Sequence, residues 1–265
     1  MNYPVPEALA QQASEYLASR LALIEPQTAE EFFAVLLDRA VRATKSGDYG
    51  ISAALAVRCD DVELIIFGQN TMISARDPFG HAEANAIRCF ERFMTLSAAR
   101  RTGLAAQWHD PYSAVASGAG TEVFVRPVPP SPKPVPASPK TESLLYATLE
   151  PCPMCTVAIM NSRIQHVIIA SPDEPGGALA PQRLARLPEV WPQIAASQGL
   201  QVTFTNSQFP ADTAAYIPPE LSAMLEKVFW DTKAERDAEV AGGVLFAPDL
   251  QRSMRDILKS ARQPD

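Results

Sequence analysis

The most informative stretch of the sequence is residues 148–155, which read Thr148-Leu149-Glu150-Pro151-Cys152-Pro153-Met154-Cys155. Cys152 and Cys155 are separated by two residues, a spacing with which two thiolates bind one metal ion. Pro153 suits the first position of a helix, where its missing N–H would have no partner, so Cys152 is predicted to be the helix cap. The amides and the dipole of a helix N-terminus favour the thiolate, which is the form that binds zinc.

A second stretch, residues 77–83, supplies what the cysteine pair lacks. It contains His81 followed after one residue by Glu83. His81, Cys152 and Cys155 would give zinc three protein ligands and leave one tetrahedral position open for a catalytic water. Two thiolates and a neutral imidazole cancel the formal charge of Zn²⁺, so the bound water benefits from a nearby base. The sequence therefore predicts a zinc hydrolase with one Zn²⁺ per chain and Glu83 as its proton carrier.

A lone C-x-x-C pair is also typical of redox-active dithiols and of half a structural zinc site. The stretch from His81 to Glu83 favours a catalytic zinc, because a structural site does not need a carboxylate beside the metal. His109 and His166 are interpreted as a loop residue and a strand-end residue rather than as ligands.

The order of predicted elements indicates an α/β protein. A leading helix is predicted at about residues 6–23, and a capping box formed by Thr28 and Glu31 begins a second helix. Five strands follow, the first two as a hairpin, with helices between the later ones. The predicted strands are residues 51–57, 62–68, 143–149, 166–170 and 201–205. This order predicts a three-layer α/β/α sandwich with a mixed five-stranded sheet.

Three regions are predicted along the chain: an N-terminal helical extension at 1–27, a catalytic domain at 28–215 and a C-terminal helical extension at 216–265. Within the domain, residues from about 100 to 142 fit no element of a compact core. Their proline density favours extended polyproline conformation and excludes helix or central strand. The segment is interpreted as a surface insertion, either a loose excursion or a lid or docking segment. Its prolines are Pro127, Pro129, Pro130, Pro132, Pro134, Pro136 and Pro139.

Composition bounds the class of protein. The 265 residues are 47% hydrophobic, enough for a substantial core, and the net charge of −7 gives no broad attraction to phosphate backbones. No stretch is apolar for the roughly 18 residues that a membrane span needs. Four cysteines in a chain of this length, two of them in metal-ligand spacing, do not indicate a disulfide framework. A cytoplasmic location is expected.

The two stretches together form the signature H-x-E…P-C-x-x-C. With it, the chain resembles the zinc-dependent cytidine and deoxycytidylate deaminase superfamily. Residues 145–152 and 159–164 also resemble the corresponding strand and helix of bacterial tRNA adenosine deaminases and of guanine deaminases. The resemblance covers about residues 28–170, and it implies a cytidine deaminase-like fold, a zinc deaminase domain at 28–215 and a homodimer.

The resemblance also implies an activity and roles for residues. A water activated by zinc attacks the ring carbon that bears an exocyclic amine, and Glu83 moves its proton to the ring and then to the leaving ammonia. Asn70 and the backbone amides of Ala82 and Cys152 are implied contacts to the substrate, although an Asn after a strand also forms turns. Asn85, one helical turn after His81, is predicted either to orient the metal site or substrate or to be satisfied within its helix.

The substrate stays open between several classes. A free base, nucleoside or nucleotide is favoured, and adenosine in tRNA is the alternative, with a non-catalytic zinc scaffold of the same fold as a further one. The tRNA alternative depends on a basic stripe with helical spacing, which a solvated helix face would also explain because acidic residues lie within it. Its residues are Arg252, Arg255, Lys259 and Arg262.

Overall fold

The computed structural model describes residues 7–18, 28–59, 62–97, 99–100, 116–118, 120–127, 143–205, 213 and 215–242. The helices are α1 Glu7–Ala18, α2 Ala29–Lys45, α3 Ala82–Met94, α4 Pro153–Asn161, α5 Pro181–Leu184, α6 Val190–Gln198 and α7 Pro219–Ala241. The strands are β1 Ser52–Cys59, β2 Val62–Gln69, β3 Ala116–Gly118, β4 Thr121–Pro127, β5 Ser143–Leu149, β6 His166–Ser171 and β7 Gln201–Phe204. Apart from two additional strands between α3 and β5, the helices and strands of these residues follow the predicted order.

The strands form one mixed sheet in the order β3-β4-β2-β1-β5-β6-β7. β1 pairs antiparallel with both β2 and β5, whereas β5, β6 and β7 run parallel to one another. Side chains alternate between the two faces of each strand, so the sheet has an apolar layer on either side. Ala54 and Tyr146 pack with α1, α2 and α7, whereas Leu55 and Leu145 pack with α3 and α4. The predicted three-layer α/β/α sandwich is confirmed.

The segment from about 100 to 142 is not wholly an insertion, and that part of the prediction is wrong. β3 and β4 lie within it, and β4 pairs antiparallel with β2 from Thr121 to Pro127. The described sheet therefore has seven strands instead of five. Val123 and Phe124 are buried on opposite faces, which a strand covered on both sides requires. The proline run masked this strand because Pro127 stands at the end of β4, where a proline is tolerated. Residues 128–142 lie outside the described part.

The helix α2 begins as the sequence predicts. The Thr28 hydroxyl accepts a hydrogen bond from the Glu31 amide at 3.3 Å, and the Thr28 amide donates to the Glu31 carboxylate at 3.0 Å. This reciprocal pair satisfies two amides that have no partner inside the helix. One face of α2 then packs on the sheet, and Ser52 Oγ donates to the Leu36 carbonyl at 2.6 Å. This hydrogen bond connects α2 to the start of β1.

Both terminal helices pack against α2. Leu9 and Ala13 of α1 and Leu225 of α7 belong to the same buried cluster as the α2 side chains. None of the helices in the described part of the chain is long and apolar enough to cross a membrane. The division at 27/28 and 215/216 stays a prediction, and the basic stripe at 252–262 lies outside the described residues.

A buried arginine on α7 connects this helix to the loops near the sheet edge. The Arg236 side chain, 1% exposed, donates to the carbonyl oxygens of Thr44 and Asp48 at 3.2 and 3.1 Å. The Asp48 carboxylate in turn accepts the amides of Ile73 and Ser74, in the loop before α3. Burial raises the pKa of Asp48, and these amides oppose the rise. Because most of these bonds are buried, α7 and the loop are held in one arrangement.

The role of β4 is testable with one truncation. Phe124 is 6% exposed and meets Phe67 edge to face, with ring centroids 5.6 Å apart. We expect Phe124→Ala to lower the free energy of unfolding by about 3–5 kcal/mol, as a truncated core aromatic does. Denaturant unfolding measures this, with Val190→Ala as the control because Val190 is 52% exposed. Equal unfolding free energies for the two variants would mean that β4 does not belong to the core.

Candidate metal centre and cavity

The predicted metal ligands lie at the starts of two helices on the same face of the sheet. His81 is the N-cap of α3, and Cys152 is the N-cap of α4 with Pro153 at the first helical position. Cys155 follows in the first turn of α4 and is fully buried. α3 approaches β2 closely, because a Cβ at Gly68 would lie only 2.2 Å from the Ala82 carbonyl oxygen. A glycine at this point of β2 is therefore needed to bring the start of α3 to the site.

The three donor atoms have a geometry that suits zinc. One ligand atom from each of His81, Cys152 and Cys155 lies within 4.8 Å of the other two. Cys152 Sγ is 3.6 Å from His81 Nδ1. Zn–S and Zn–N bonds of about 2.3 and 2.0 Å at a tetrahedral angle place sulfur and nitrogen about 3.5 Å apart. Two thiolates and one imidazole, with no fourth ligand among the described residues, are the donor set of a catalytic zinc, so these residues fit the metal.

Within the described residues, no other cluster of His, Cys, Asp and Glu side chains is arranged to hold a metal. His166 begins β6, and its side chain is exposed, as predicted for a strand-end residue. It does not belong to the cluster of three metal ligands. His109 lies outside the described residues.

The two thiols have opposite pKa shifts. A hydrogen bond from the Cys155 thiol and the neighbouring His81 lower the pKa of Cys152 to about 4, against the effect of burial. The same Cys152 contact, with burial and the nearby Glu83 charge, raises the pKa of Cys155. The pair thus holds one negative charge readily and a second one only with a cation beside it. Zinc supplies that cation, since a coordinated thiol is deprotonated.

Glu83 lies beside the metal ligands without being one of them. It is in the first turn of α3, 4% exposed, and its Oε2 is 3.5 Å from Cys155 Sγ. Burial, followed by the charge of Cys152, raises the pKa of Glu83 to about 7. A carboxyl group with a pKa near neutrality can both take up and give back a proton, which general acid–base chemistry requires.

A cavity of about 370 Å³ opens in front of these residues. This volume is within the range of small-molecule sites. His81, Glu83, Cys152 and the predicted substrate residue Asn70 are in its wall, so the structure brings these four predicted residues together. The remaining lining residues are Tyr49, Ile51, Met72, Leu149, Glu150, Asp173, Pro175, Gly176, Phe229, Lys233 and Asp237.

Asn70 lies at the end of β2 with 1% of its surface exposed. Its side-chain Oδ1 accepts a hydrogen bond from the Met72 backbone amide at 3.0 Å, and its backbone N–H donates to the Ile51 carbonyl. The bond to Oδ1 orients the side chain in the cavity wall and does not use its Nδ2 donor. The turn-forming interpretation and the substrate-binding one are therefore both compatible with the same contacts.

Two other predicted substrate residues do not line the cavity. Ala82 is the first residue of α3, so its amide has no partner inside the helix, but its side chain is buried behind the site. Asn85 is buried, and its Nδ2 donates to Gln69 O and Thr71 Oγ1 at 2.9 and 3.1 Å while Oδ1 accepts from Arg88. Asn85 thus bonds the loop before His81 as well as Arg88 of its own helix, and its predicted role toward the metal site or the substrate stays a prediction.

Glu150 shapes the wall opposite α3, a role that the sequence did not reveal. Its carboxylate is buried and accepts the amides of Leu179 and Ala180 at 3.0 and 2.8 Å, together with an ion pair from Arg183. A Cβ at Gly177 would lie 2.4 Å from Glu150 Cδ, so the loop wraps directly over the carboxylate. Nothing in the spacing of Glu150 and Arg183 signals this pairing.

The C-terminal helix α7 supplies the remaining wall. Phe229, Lys233 and Asp237 all line the cavity, at successive intervals of four residues. This interval places side chains on one face of a helix, so it was visible in the sequence. The sequence contains no signal that this face meets the metal centre, because α7 lies about seventy residues after Cys155.

One comparison with known proteins identifies a family. A family model described as the cytidine and deoxycytidylate deaminase zinc-binding region matches residues 26–171. No curated protein matches the sequence significantly.

Solved structures of similar fold include a guanine deaminase from Nitrosomonas europaea, with 17% identity, a TM-score of 0.43 and coverage of 86% of this chain and 95% of its own. A structure from studies of A-to-I editing by tRNA:A34 deaminases has 17% identity and a TM-score of 0.41, covering 74% of this chain and 97% of its own. A guanine deaminase from Bacillus subtilis has 21% identity and a TM-score of 0.32, covering 54% and 64%. Similarity at this level does not extend to a substrate.

The metal centre predicts a defined metal content. Purified protein should contain about one Zn²⁺ per chain with two sulfur ligands and one nitrogen ligand, as three donors with an open position imply. Cys155→Ala should lose the metal and unfold at a lower temperature, because metal binding stabilises the folded state. Elemental analysis measures the zinc content, X-ray absorption spectroscopy identifies the ligands, and thermal denaturation gives the unfolding temperature. Cys89→Ala is the control, because its thiol lies outside the cluster. Full zinc occupancy in Cys155→Ala would exclude this ligand set.

Proposed function

The chain belongs to the cytidine and deoxycytidylate deaminase family, and from this premise we propose that it is a hydrolytic deaminase of a nucleobase-containing molecule. The reaction replaces an exocyclic amine of the base with a keto group and releases ammonia. The observation that carries the proposal is the position of Glu83, buried in the cavity wall beside the three metal ligands and outside the ligand set. A scaffold that only held a structural zinc would not need this carboxylate.

In this proposal, His81, Cys152 and Cys155 hold the zinc. Zinc bound there supplies Lewis acidity, which lowers the pKa of a water molecule toward neutrality. The three residues come from the N-termini of α3 and α4, where helix amides favour the thiolates. Cys155 is fully buried and Glu83 is 4% exposed, so charge interactions between them are stronger than in solvent.

Glu83 is the proton carrier of the proposed mechanism. Its carboxylate takes the proton from the attacking water and delivers it to a ring nitrogen as the new C–O bond forms. The same carboxyl group then protonates the exocyclic amine, so that the C–N bond breaks and ammonia leaves. A pKa of about 7 suits both directions of transfer. Atoms balance as substrate plus water giving keto product plus ammonia.

Positioning of the ring is assigned to the residues around the metal centre. Asn70 is held by Met72 and Ile51, so its Nδ2 offers a preorganised donor to a polar atom of the base. The amides of Ala82 and Cys152 stand at the starts of α3 and α4 and are proposed contacts to the substrate and to the charge that develops in the reaction. Asn85 is proposed to act indirectly, by fixing the loop that contains Gly80. The homodimer stays a prediction.

A panel of substrates tests the activity. We expect the zinc-loaded protein to release ammonia from at least one free base, nucleoside or nucleotide, measured with a coupled ammonia assay and confirmed by mass spectrometry of the product. Adenosine in a tRNA anticodon stem-loop belongs in the same panel. Conversion of tRNA adenosine alone would identify the alternative substrate. No ammonia from any member of the panel would refute the deaminase proposal.

Removing the proton carrier separates catalysis from metal binding. Glu83→Gln keeps the size and polarity of the side chain but cannot carry the proton, so turnover should fall by at least about 100-fold. Zinc content and the melting temperature should stay close to those of the unmodified protein, because Glu83 is not a ligand. The matched control is Glu91→Gln on the same helix, outside the cavity lining. A Glu83→Gln variant with normal kcat would remove Glu83 from the mechanism.

The two buried asparagines should behave differently. Asn70→Ala removes a donor in the cavity wall, so kcat/KM should fall by about 10-fold or more, and loss of the one side-chain bond to the Met72 amide should lower the free energy of unfolding by only about 1 kcal/mol. Asn85→Ala breaks hydrogen bonds to Gln69 and Thr71, so its larger effect should be on stability, by about 1–3 kcal/mol. Steady-state kinetics and denaturant unfolding on both variants measure the contrast. Identical kinetic losses would contradict the separate roles.

A further inference from the structure

One face of α7 forms the wall of the cavity away from the metal ligands. Phe229, Lys233 and Asp237 lie on this face at intervals of four residues and all line the cavity. Phe229 is buried, and its ring meets Trp230 edge to face with centroids 4.7 Å apart. Arg236 anchors the same helix turn to the carbonyl oxygens of Thr44 and Asp48. The wall is therefore rigid, as a surface that selects a ligand must be.

The polar part of this wall is an ion pair held by a third residue. Lys233 Nζ bonds Asp237 Oδ2, and the Tyr49 hydroxyl donates to Asp237 Oδ1 at 2.8 Å. The Lys233 and Asp237 side chains are 30% and 49% exposed, in contrast to the buried Glu83 and Asn70. This exposure places the pair toward solvent, where the part of a ligand farthest from the reacting amine would lie.

Charges in the wall indicate which ligands it accepts. Arg183 pairs with Glu150 and also with the exposed Glu174. Away from the metal ligands and Glu150, the described lining residues carry the carboxylates of Asp173 and Asp237 against the single ammonium of Lys233. A phosphate here would meet two carboxylates and a lysine already paired with one of them, which disfavours an anionic ligand.

We infer that Phe229, Lys233 and Asp237 form the specificity wall of the cavity and select an unphosphorylated nucleobase or nucleoside over its phosphate. Phe229 contacts the flat face of the ring system, because aromatic surfaces favour stacked or edge contacts with other rings. The Lys233 ammonium and the Asp237 carboxylate offer a donor and an acceptor to the polar edge or sugar hydroxyls remote from the amine. This inference rests on the proposed deaminase function.

A matched pair of double variants tests the wall. Lys233→Met with Asp237→Asn removes the pair in the cavity, and Lys227→Met with Asp231→Asn removes an equivalent pair on the same helix, outside the lining. Both double changes preserve net charge. For the best free base or nucleoside, KM should rise about 10-fold in the first variant, as expected for losing hydrogen bonds to charged groups, with kcat within about threefold. The second variant should match the unmodified enzyme. Equal KM values in both variants would overturn the inference.

Phosphate discrimination supplies a second readout. The unmodified enzyme should have a kcat/KM at least about 10-fold higher for a nucleoside than for its 5′-monophosphate. Asp237→Asn removes one carboxylate and should reduce this ratio several-fold, whereas Asp231→Asn should leave it unchanged. A preference for the monophosphate, or equal ratios in the two variants, would contradict a wall that excludes phosphate.

A binding measurement distinguishes failure of this inference from failure of the proposed function. If no substrate releases ammonia, the deaminase proposal fails, and the wall is then tested by calorimetry of the zinc-loaded protein with free bases and nucleosides. Binding that weakens about 10-fold in the Lys233 and Asp237 double variant, but not in the Lys227 and Asp231 control, supports the wall. Absence of any binding, or equal weakening in both, rejects it.

Discussion

The arrangement of this protein depends on bringing a histidine and two cysteines, about seventy residues apart in the chain, within 4.8 Å of one another. The sheet makes this approach feasible, because α3 and α4 pack on the same face and follow β2 and β5, which run in the same direction on either side of β1. The donors stand at helix N-termini, where unpaired amides favour thiolates. Gly68 has no side chain, and any side chain at this position would prevent α3 from packing closely on β2. Metal affinity and fold are thus linked, since zinc binding would stabilise the same approach.

Buried polar networks hold the cavity walls around this centre. The Glu150 carboxylate accepts hydrogen bonds from two backbone amides and pairs with the Arg183 guanidinium beneath the loop that follows β6. On the other side, Arg236 bonds carbonyl groups, and Asp48 bonds the amides of the loop before α3. Charged groups are costly to bury unless such partners are present. Each network therefore restricts one loop of the cavity to the single arrangement in which its partners are satisfied, and this is the preorganisation that catalysis needs.

Local patterns in the sequence were sufficient for the metal centre and for most elements. The C-x-x-C spacing and Pro153 predicted a helix start with two thiolates, and the Thr28 capping box predicted the start of α2. The same kind of reasoning was wrong about β3 and β4, because the strand that holds this hairpin in the sheet, β2, lies far earlier in the chain. The proline run after Val125 favoured a loop, although prolines at a strand end do not prevent pairing.

By itself, the sequence determined the chemistry of the site: which side chains can bind zinc, which carboxyl can carry a proton, and that both stand at helix starts. These depend on residue type and on contacts within a few residues. Only the tertiary structure decided what surrounds the centre. The Asn85 side chain donates hydrogen bonds to Gln69 and Thr71, and Glu150 forms an ion pair with Arg183. Lys233 and Asp237 of α7 line the cavity. These contacts join residues far apart in the chain, and such contacts are set by how helices pack on a shared sheet rather than by any local pattern.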